Sequence, residues 1–111
     1  MIIATFFKDA KGIWKGFSLV GHAGYSEHGS DIVCAGVSAL AINAVNSIEA
    51  FTDDKTLVNV EEETGLLTFS FSDSNVSEKG QLLIESLILG LKGIGEEYSG
   101  NDYLKILFKE V

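Results

Sequence analysis

Two residues of this sequence, His22 and Cys34, are candidates for nucleophilic catalysis. Cys34 is the only cysteine in the chain, and His22 is one of two histidines. Glycine, serine and charged residues lie between them, and an apolar run follows Cys34 at once. A thiol becomes a good nucleophile when it loses its proton, and an imidazole is a common base for that step. The pattern therefore offers a nucleophile and a base joined by a flexible connector.

The element that must position Cys34 is a helix that we predict to begin at Ser30 or Asp31, two good capping residues. This start places Cys34 in the first turn, where unpaired N–H groups and the helix dipole favour a thiolate. The Cys34 amide could then also donate to the oxyanion of a tetrahedral intermediate. Asp31 is a candidate for orienting His22. The negative charge of Asp31 disfavours the Cys34 thiolate directly. The same charge stabilises a protonated His22, which in turn favours the thiolate.

The residue types alone leave other interpretations open. A single cysteine on a helix is often a small buried hydrophobe. A metal site would use His22, His28 and Cys34 with Glu27 or Asp31, but this spacing fits no standard zinc pattern, so we expect no metal and no cofactor. A redox-sensing thiol would need a resolving cysteine from a partner, because this chain has no second one.

The apolar periodicity predicts five strands and two helices in the order ββαββαβ. The predicted elements are strands 2–8 and 13–21, a helix from 30 or 31 to about 51, strands 56–63 and 66–72, a helix 77–98 and a strand 103–111. Strict alternation in the second strand puts Trp14 on the face opposite Phe17. We expect an α+β fold: one domain, residues 1–111, with a mostly antiparallel sheet layered between or beside two helices.

Charge and composition exclude several classes of function. The formal charge is −8 and no Lys/Arg cluster exists, which argues against nucleic-acid binding. One cysteine forms no intramolecular disulfide, which fits a reducing cytoplasm. The first residues lack the basic segment of a signal peptide. The apolar tract 32–48 contains four polar residues and is short for a membrane span, so we expect no membrane association.

The segment Gly21-His22-Ala23, followed by residues 29–38 (GSDIVCAGVS), resembles the signature of the ribosomal-processing cysteine proteases, the Prp family. Gly36 stands where many members carry Ala. The resemblance implies a bacterial, cytoplasmic, dimeric endopeptidase that removes a short N-terminal extension from a large-subunit ribosomal protein, cleaving after an aromatic-rich site. It implies that His22 is the general base and Cys34 the nucleophile.

Further expectations concern the charge, the second helix and the loop between His22 and Cys34. The acidic surface would attract a basic ribosomal protein, and the broad apolar face of the second helix agrees with a homodimer. The loop between the two catalytic candidates is a possible lid, formed by Gly24, Tyr25, Ser26, Glu27, His28 and Gly29. Trp14, Phe17 and Tyr25 are candidates for receiving aromatic substrate side chains. The alternative function is a non-enzymatic, acidic binding or assembly factor for a basic ribosomal protein.

Overall fold

The chain folds in the predicted order ββαββαβ. The computed structural model describes residues 1–21, 28–97 and 103–111, and at 28–31 it describes the backbone only. Its elements are β1 (Ile2–Lys8), β2 (Trp14–Val20), α1 (His28–Phe51), β3 (Thr56–Glu61), β4 (Leu66–Phe71), α2 (Glu78–Glu97) and β5 (Leu104–Glu110). The strands form one sheet in the order β3-β4-β2-β1-β5. Every neighbouring pair is antiparallel except β1 and β5, which are parallel, so the sheet is mixed but mostly antiparallel.

Both helices pack on one face of the sheet, so the helices lie beside the sheet and the fold has two layers. Alternate residues of β1, including Ala4 and Phe6, point towards the helices, as do Phe17 of β2 and Phe69 of β4, and all four are buried. The rings of Phe6, Phe17 and Phe69 follow one another across three adjacent strands, with centroid separations of 5.6 and 5.3 Å. Each such aromatic contact stabilises the fold by about 0.5–1.5 kcal/mol beyond simple burial.

A β-bulge changes the faces predicted for β2. Phe7 pairs with Gly16 but Lys8 pairs with Trp14, so Lys15 is an extra residue without a direct partner on β1. The bulge turns Trp14 to the same face as Phe17, and the prediction of opposite faces was wrong. On that face the Trp14 indole N–H donates to the Glu85 carboxylate of α2 at 2.8 Å.

The two helices approach each other at glycines. A Cβ added at Gly36 of α1 would lie 3.1 Å from Ile94, and one added at Gly90 of α2 would lie 2.8 Å from Leu40. Gly36 therefore lies where α2 approaches α1, whereas the small residues Ala35, Ala39 and Asn43 are exposed. Residues Ile32–Phe51 of α1 are long and apolar enough to span a membrane. The core helices of soluble proteins often meet the same criterion of length and hydropathy.

Candidate active site

Cys34 is the seventh residue of α1 and lies in its second turn. The prediction that it occupies the first turn was wrong, because α1 begins at His28, before Ser30. By the seventh position an α-helical N–H bonds to the carbonyl four residues earlier, so the Cys34 amide is not the free oxyanion donor that the sequence predicted. The earlier start includes Gly29, and a helical glycine costs only about 1 kcal/mol.

This start of α1 also shortens the predicted lid. His28 and Gly29 belong to the helix, not to a loop. Four other members of the proposed lid (Gly24, Tyr25, Ser26 and Glu27) lie outside the described residues, as does His22. The backbone of Asp31 lies in α1, almost one turn before Cys34.

Cys34 borders a cavity of about 200 Å³ between α1, the ends of β1 and β2, and the β3–β4 hairpin. Its lining is mostly apolar and comprises Ile2, Leu19, Gly21, Cys34, Val37, Ser38, Ile42, Val60, Glu61, Glu62, Gly65, Leu66 and Leu67. Cys34 itself is half-buried and packs against the hydrophobic core. A half-buried thiol beside an apolar cavity can meet a substrate chain that enters the cavity, which a fully buried cysteine cannot do.

The contribution of the β3–β4 hairpin to this cavity was not predicted from the sequence. Val60, Glu61 and Glu62 come from a segment almost thirty residues after Cys34, and no local pattern connects the two. Ser38 also lines the cavity. Its position one helical turn after Cys34 is a signal that could have identified it, because residues four apart share a helix face.

Gly21 joins β2 to the segment that contains His22, and it lines the same cavity as Cys34. Its φ is +98°, in the left-handed region that favours glycine. A Cβ at this position would also collide with the carbonyl oxygen of Met1. The backbone at the entrance to the His22 segment therefore has a conformation and a close approach that only glycine permits.

Two of the three aromatic residues proposed as a substrate pocket, Trp14 and Phe17, are not among the residues that line this cavity. Trp14 and Phe17 are buried in the core, and Trp14 is held against α2 by hydrogen bonds in which its backbone N–H and carbonyl pair with the side-chain amide of Gln81 at 2.7 and 2.8 Å. Tyr25 lies outside the described residues. Among the described residues, the large apolar side chains that line the cavity are aliphatic, so an aromatic substrate side chain that enters it would meet residues such as Leu19, Val37 and Leu67.

The charged side of the cavity is acidic. Glu61 and Glu62 line it, and both are exposed. All eight lysines lie in the described part of the chain, where the single ion pair joins Lys15 to Asp9 at 3.9 Å. Glu61 and Glu62 therefore present their charges to whatever occupies the cavity. No group of three or more potential metal ligands occurs among the described residues, which exclude His22 and the side chain of His28.

The comparison with known proteins identifies the family. The family model of the cysteine protease Prp matches residues 1–103. The ribosomal processing cysteine protease Prp of Bacillus subtilis is 39% identical over 105 residues, which cover 91% of this chain and 93% of that protein.

Two crystal structures of the essential ribosomal processing protease Prp from S. aureus have the same fold. One contains a covalently linked product peptide and has a TM-score of 0.86 at 30% identity. The other contains a substrate peptide and has a TM-score of 0.88 at 28% identity. Each match covers 98% of this chain and 100% of the other. This chain therefore belongs to the Prp family of cysteine proteases.

Proposed function

We propose that this chain is an endopeptidase that removes a short N-terminal extension from a large-subunit ribosomal protein, with Cys34 as the nucleophile and His22 as the general base. The observation that carries the proposal is the cavity beside Cys34. Gly21 lines the same cavity, and His22 is the next residue of the chain. The relatives named above are ribosomal processing proteases, and the two S. aureus structures hold a product or a substrate peptide.

In this proposal His22 takes the proton of the Cys34 thiol, and the thiolate attacks the scissile carbonyl carbon. The tetrahedral intermediate collapses when His22 returns the proton to the leaving amine, which leaves an acyl group on Cys34. Water, deprotonated by His22, then hydrolyses the thioester. Asp31 orients the imidazole from the first turn of α1. Asp31→Asn should therefore lower kcat more than it changes KM.

The segment 24–27, which precedes α1 in the chain, acts as a lid in this proposal. Closing a loop over a bound peptide excludes water from the thioester and completes the site. Hydrogen exchange at residues 24–27 should slow when the Cys34→Ala variant binds a substrate peptide. Unchanged exchange in that segment would contradict the lid.

The charge of the chain supports a basic substrate. The chain carries a formal charge of −8, and Glu61 and Glu62 line the cavity, whereas ribosomal proteins are basic. Attraction between the two raises the rate of encounter and is screened by salt. KM for the ribosomal substrate should therefore rise with ionic strength, and kcat should change less. We place this reaction in the cytoplasm, where Cys34 stays reduced.

The proposal includes a homodimer. Leu82 and Leu89 of α2 are seven residues apart, on one side of the helix, and are 67% and 73% exposed. Covering such side chains by a second copy would remove apolar surface from water. Leu82→Glu together with Leu89→Glu should convert the dimer to a monomer in analytical ultracentrifugation. An unchanged sedimentation profile would place any dimer interface elsewhere.

The deciding experiment mixes the purified protein with the extended ribosomal protein of the same organism and follows release of the N-terminal peptide by mass spectrometry. Cys34→Ala should abolish release, and His22→Ala should nearly abolish it. Gly93→Ala, on α2 in open space, is the matched control and should cleave normally. Full cleavage by Cys34→Ala would refute the proposal. Salt-sensitive binding without cleavage by the wild type would instead support the acidic binding factor.

A further inference from the structure

One edge strand of the sheet, β3, has a free side that the proposed catalytic step does not involve. β3 is the outer strand of the sheet next to β4, and within the described residues no strand pairs with its other side. Every residue from Leu57 to Glu61 is exposed, and Val60 is 67% exposed. Exposed apolar edge strands are uncommon because they pair readily with other chains.

The ladder to β4 determines which backbone groups of β3 are free. The Ser72 N–H donates to the carbonyl of Lys55, the residue before β3, at 2.8 Å. Hydrogen-bonded pairs alternate along an antiparallel ladder, so the next pair is Leu57 with Ser70 in the observed register. The N–H and carbonyl groups of Val58 and Val60 therefore point away from β4, towards the free edge.

This free edge leads to the cavity beside Cys34. Val60 and Glu61, at the end of β3, line that cavity together with Cys34 and Gly21. A peptide that paired with Val58 and Val60 would reach the cavity by continuing past the end of β3. The edge and the cavity thus form one continuous surface, which suits an extended chain longer than the residues next to the scissile bond.

Charge identifies the occupant of this edge. The hairpin after Val60 carries Glu61, Glu62 and Glu63 in succession, and no lysine forms an ion pair with any of them. This end of β3 is complementary to a basic chain. A second copy of this protein carries the same acidic run and a net charge of −8, so a basic peptide is the better match.

We propose that the substrate's extended segment binds by adding a strand to the free edge of β3, pairing with the backbone of Val58 and Val60 before it enters the cavity. This inference rests on the proposed function, since it takes the substrate to be a basic ribosomal protein. Strand addition supplies affinity through main-chain hydrogen bonds, which are indifferent to side-chain sequence. The aliphatic cavity then selects the residues beside the scissile bond.

The test uses a peptide and a proline variant. Val58→Pro removes one outward N–H, and proline is tolerated on an edge strand at such a position. We expect Kd for a synthetic peptide spanning the cleavage point, measured with Cys34→Ala as background, to rise about tenfold (about 1.4 kcal/mol), the scale of one lost hydrogen bond. Leu57→Thr removes exposed apolar surface from the opposite face of β3 and keeps every backbone donor, so its Kd should stay within about twofold.

A second experiment alters the peptide and leaves β3 unchanged. Peptides methylated at one backbone nitrogen at a time are titrated against Cys34→Ala. Strand addition predicts weakened binding at every second position of the extended segment, because alternate N–H groups point to β3. Losses at no position, or at consecutive positions, would overturn the inference. So would a Val58→Pro variant that loses its dimer in ultracentrifugation but binds the peptide normally, since the edge would then pair with a second copy.

These outcomes separate the inference from the proposed function. If the wild type releases no peptide but Cys34→Ala binds it with alternating sensitivity to methylation, the proposed proteolysis fails and strand addition stands. If the wild type cleaves normally and binding is insensitive to methylation, strand addition fails and the proposed function stands.

Discussion

Replacing Gly21 by alanine tests whether the backbone between β2 and His22 is as constrained as the structure shows. Gly21 has a φ of +98°, and an L-residue in a left-handed conformation costs about 1–2 kcal/mol. The added Cβ also collides with the Met1 carbonyl oxygen. Overpacking of this kind costs about 1–3 kcal/mol. We therefore expect Gly21→Ala to lower the free energy of unfolding by about 2–5 kcal/mol.

Gly12→Ala is the matched control for this prediction. Gly12 also has a positive φ, +83°, but nothing lies within 4 Å of its added Cβ. This variant should lose only the conformational part, about 1–2 kcal/mol. The difference between the free energies of unfolding of the two variants, measured by urea denaturation, gives the contribution of the collision with Met1.

Activity should separate the same two variants more sharply. Gly12 lies in the β1–β2 turn, away from the cavity, so Gly12→Ala should keep its kcat/KM. Gly21 lines the cavity beside Cys34 and precedes His22, so Gly21→Ala should lower kcat/KM by more than tenfold, a loss of more than about 1.4 kcal/mol of transition-state stabilisation. Equal destabilisation by both alanines, or full activity in Gly21→Ala, would refute this reasoning.

Three further predictions concern the scaffold. Gly93→Ala, in open space on α2, should stabilise the protein by about 0.8–1 kcal/mol through helix propensity. Gly80→Ala should destabilise it by about 1–3 kcal/mol, because the added Cβ would meet the Asp54 carboxylate. The free energies of unfolding of both variants, measured by urea denaturation, should therefore change in opposite directions. Trp14→Phe should cost about 1 kcal/mol, because it removes the hydrogen bond to Glu85, and a Glu85→Ala background should reduce that cost. Backbone hydrogen bonds from Ile13 and then Lys11, with the charges of Lys15 and Lys11, hold the pKa of Asp9 below its ordinary value. The stability that ionised Asp9 contributes is therefore present above that ordinary pKa and is lost as the pH falls through the folded pKa. An NMR titration of Asp9 with a midpoint at or above 3.8 would contradict this.

The alternation of apolar residues was sufficient to predict the seven elements and their order. In the hairpin, Val58 and Val60 pair with Phe69 and Leu67, so alternate apolar residues of β3 and β4 share one face. Such patterns are local, because strand and helix periodicity depends only on neighbouring residues. The bulge at Lys15 is local too, but no residue type in β2 marks it, so Trp14 was placed on the wrong face. The start of α1 was missed because Ser30 and Asp31 are good caps that the folded chain does not use as caps.

The sequence by itself determined the candidate chemistry: one thiol, a histidine after Gly21 and an acidic chain without a basic patch. The tertiary structure decided where that chemistry lies. It placed Cys34 in the second turn of α1 and brought Gly21, Ser38 and the β3–β4 hairpin to the same cavity, although almost forty residues of sequence separate Gly21 from the hairpin. The physical reason is that a cavity is formed by non-local packing, in which β4 pairs with β2 and leaves β3 at the edge. No periodicity along the chain records that pairing.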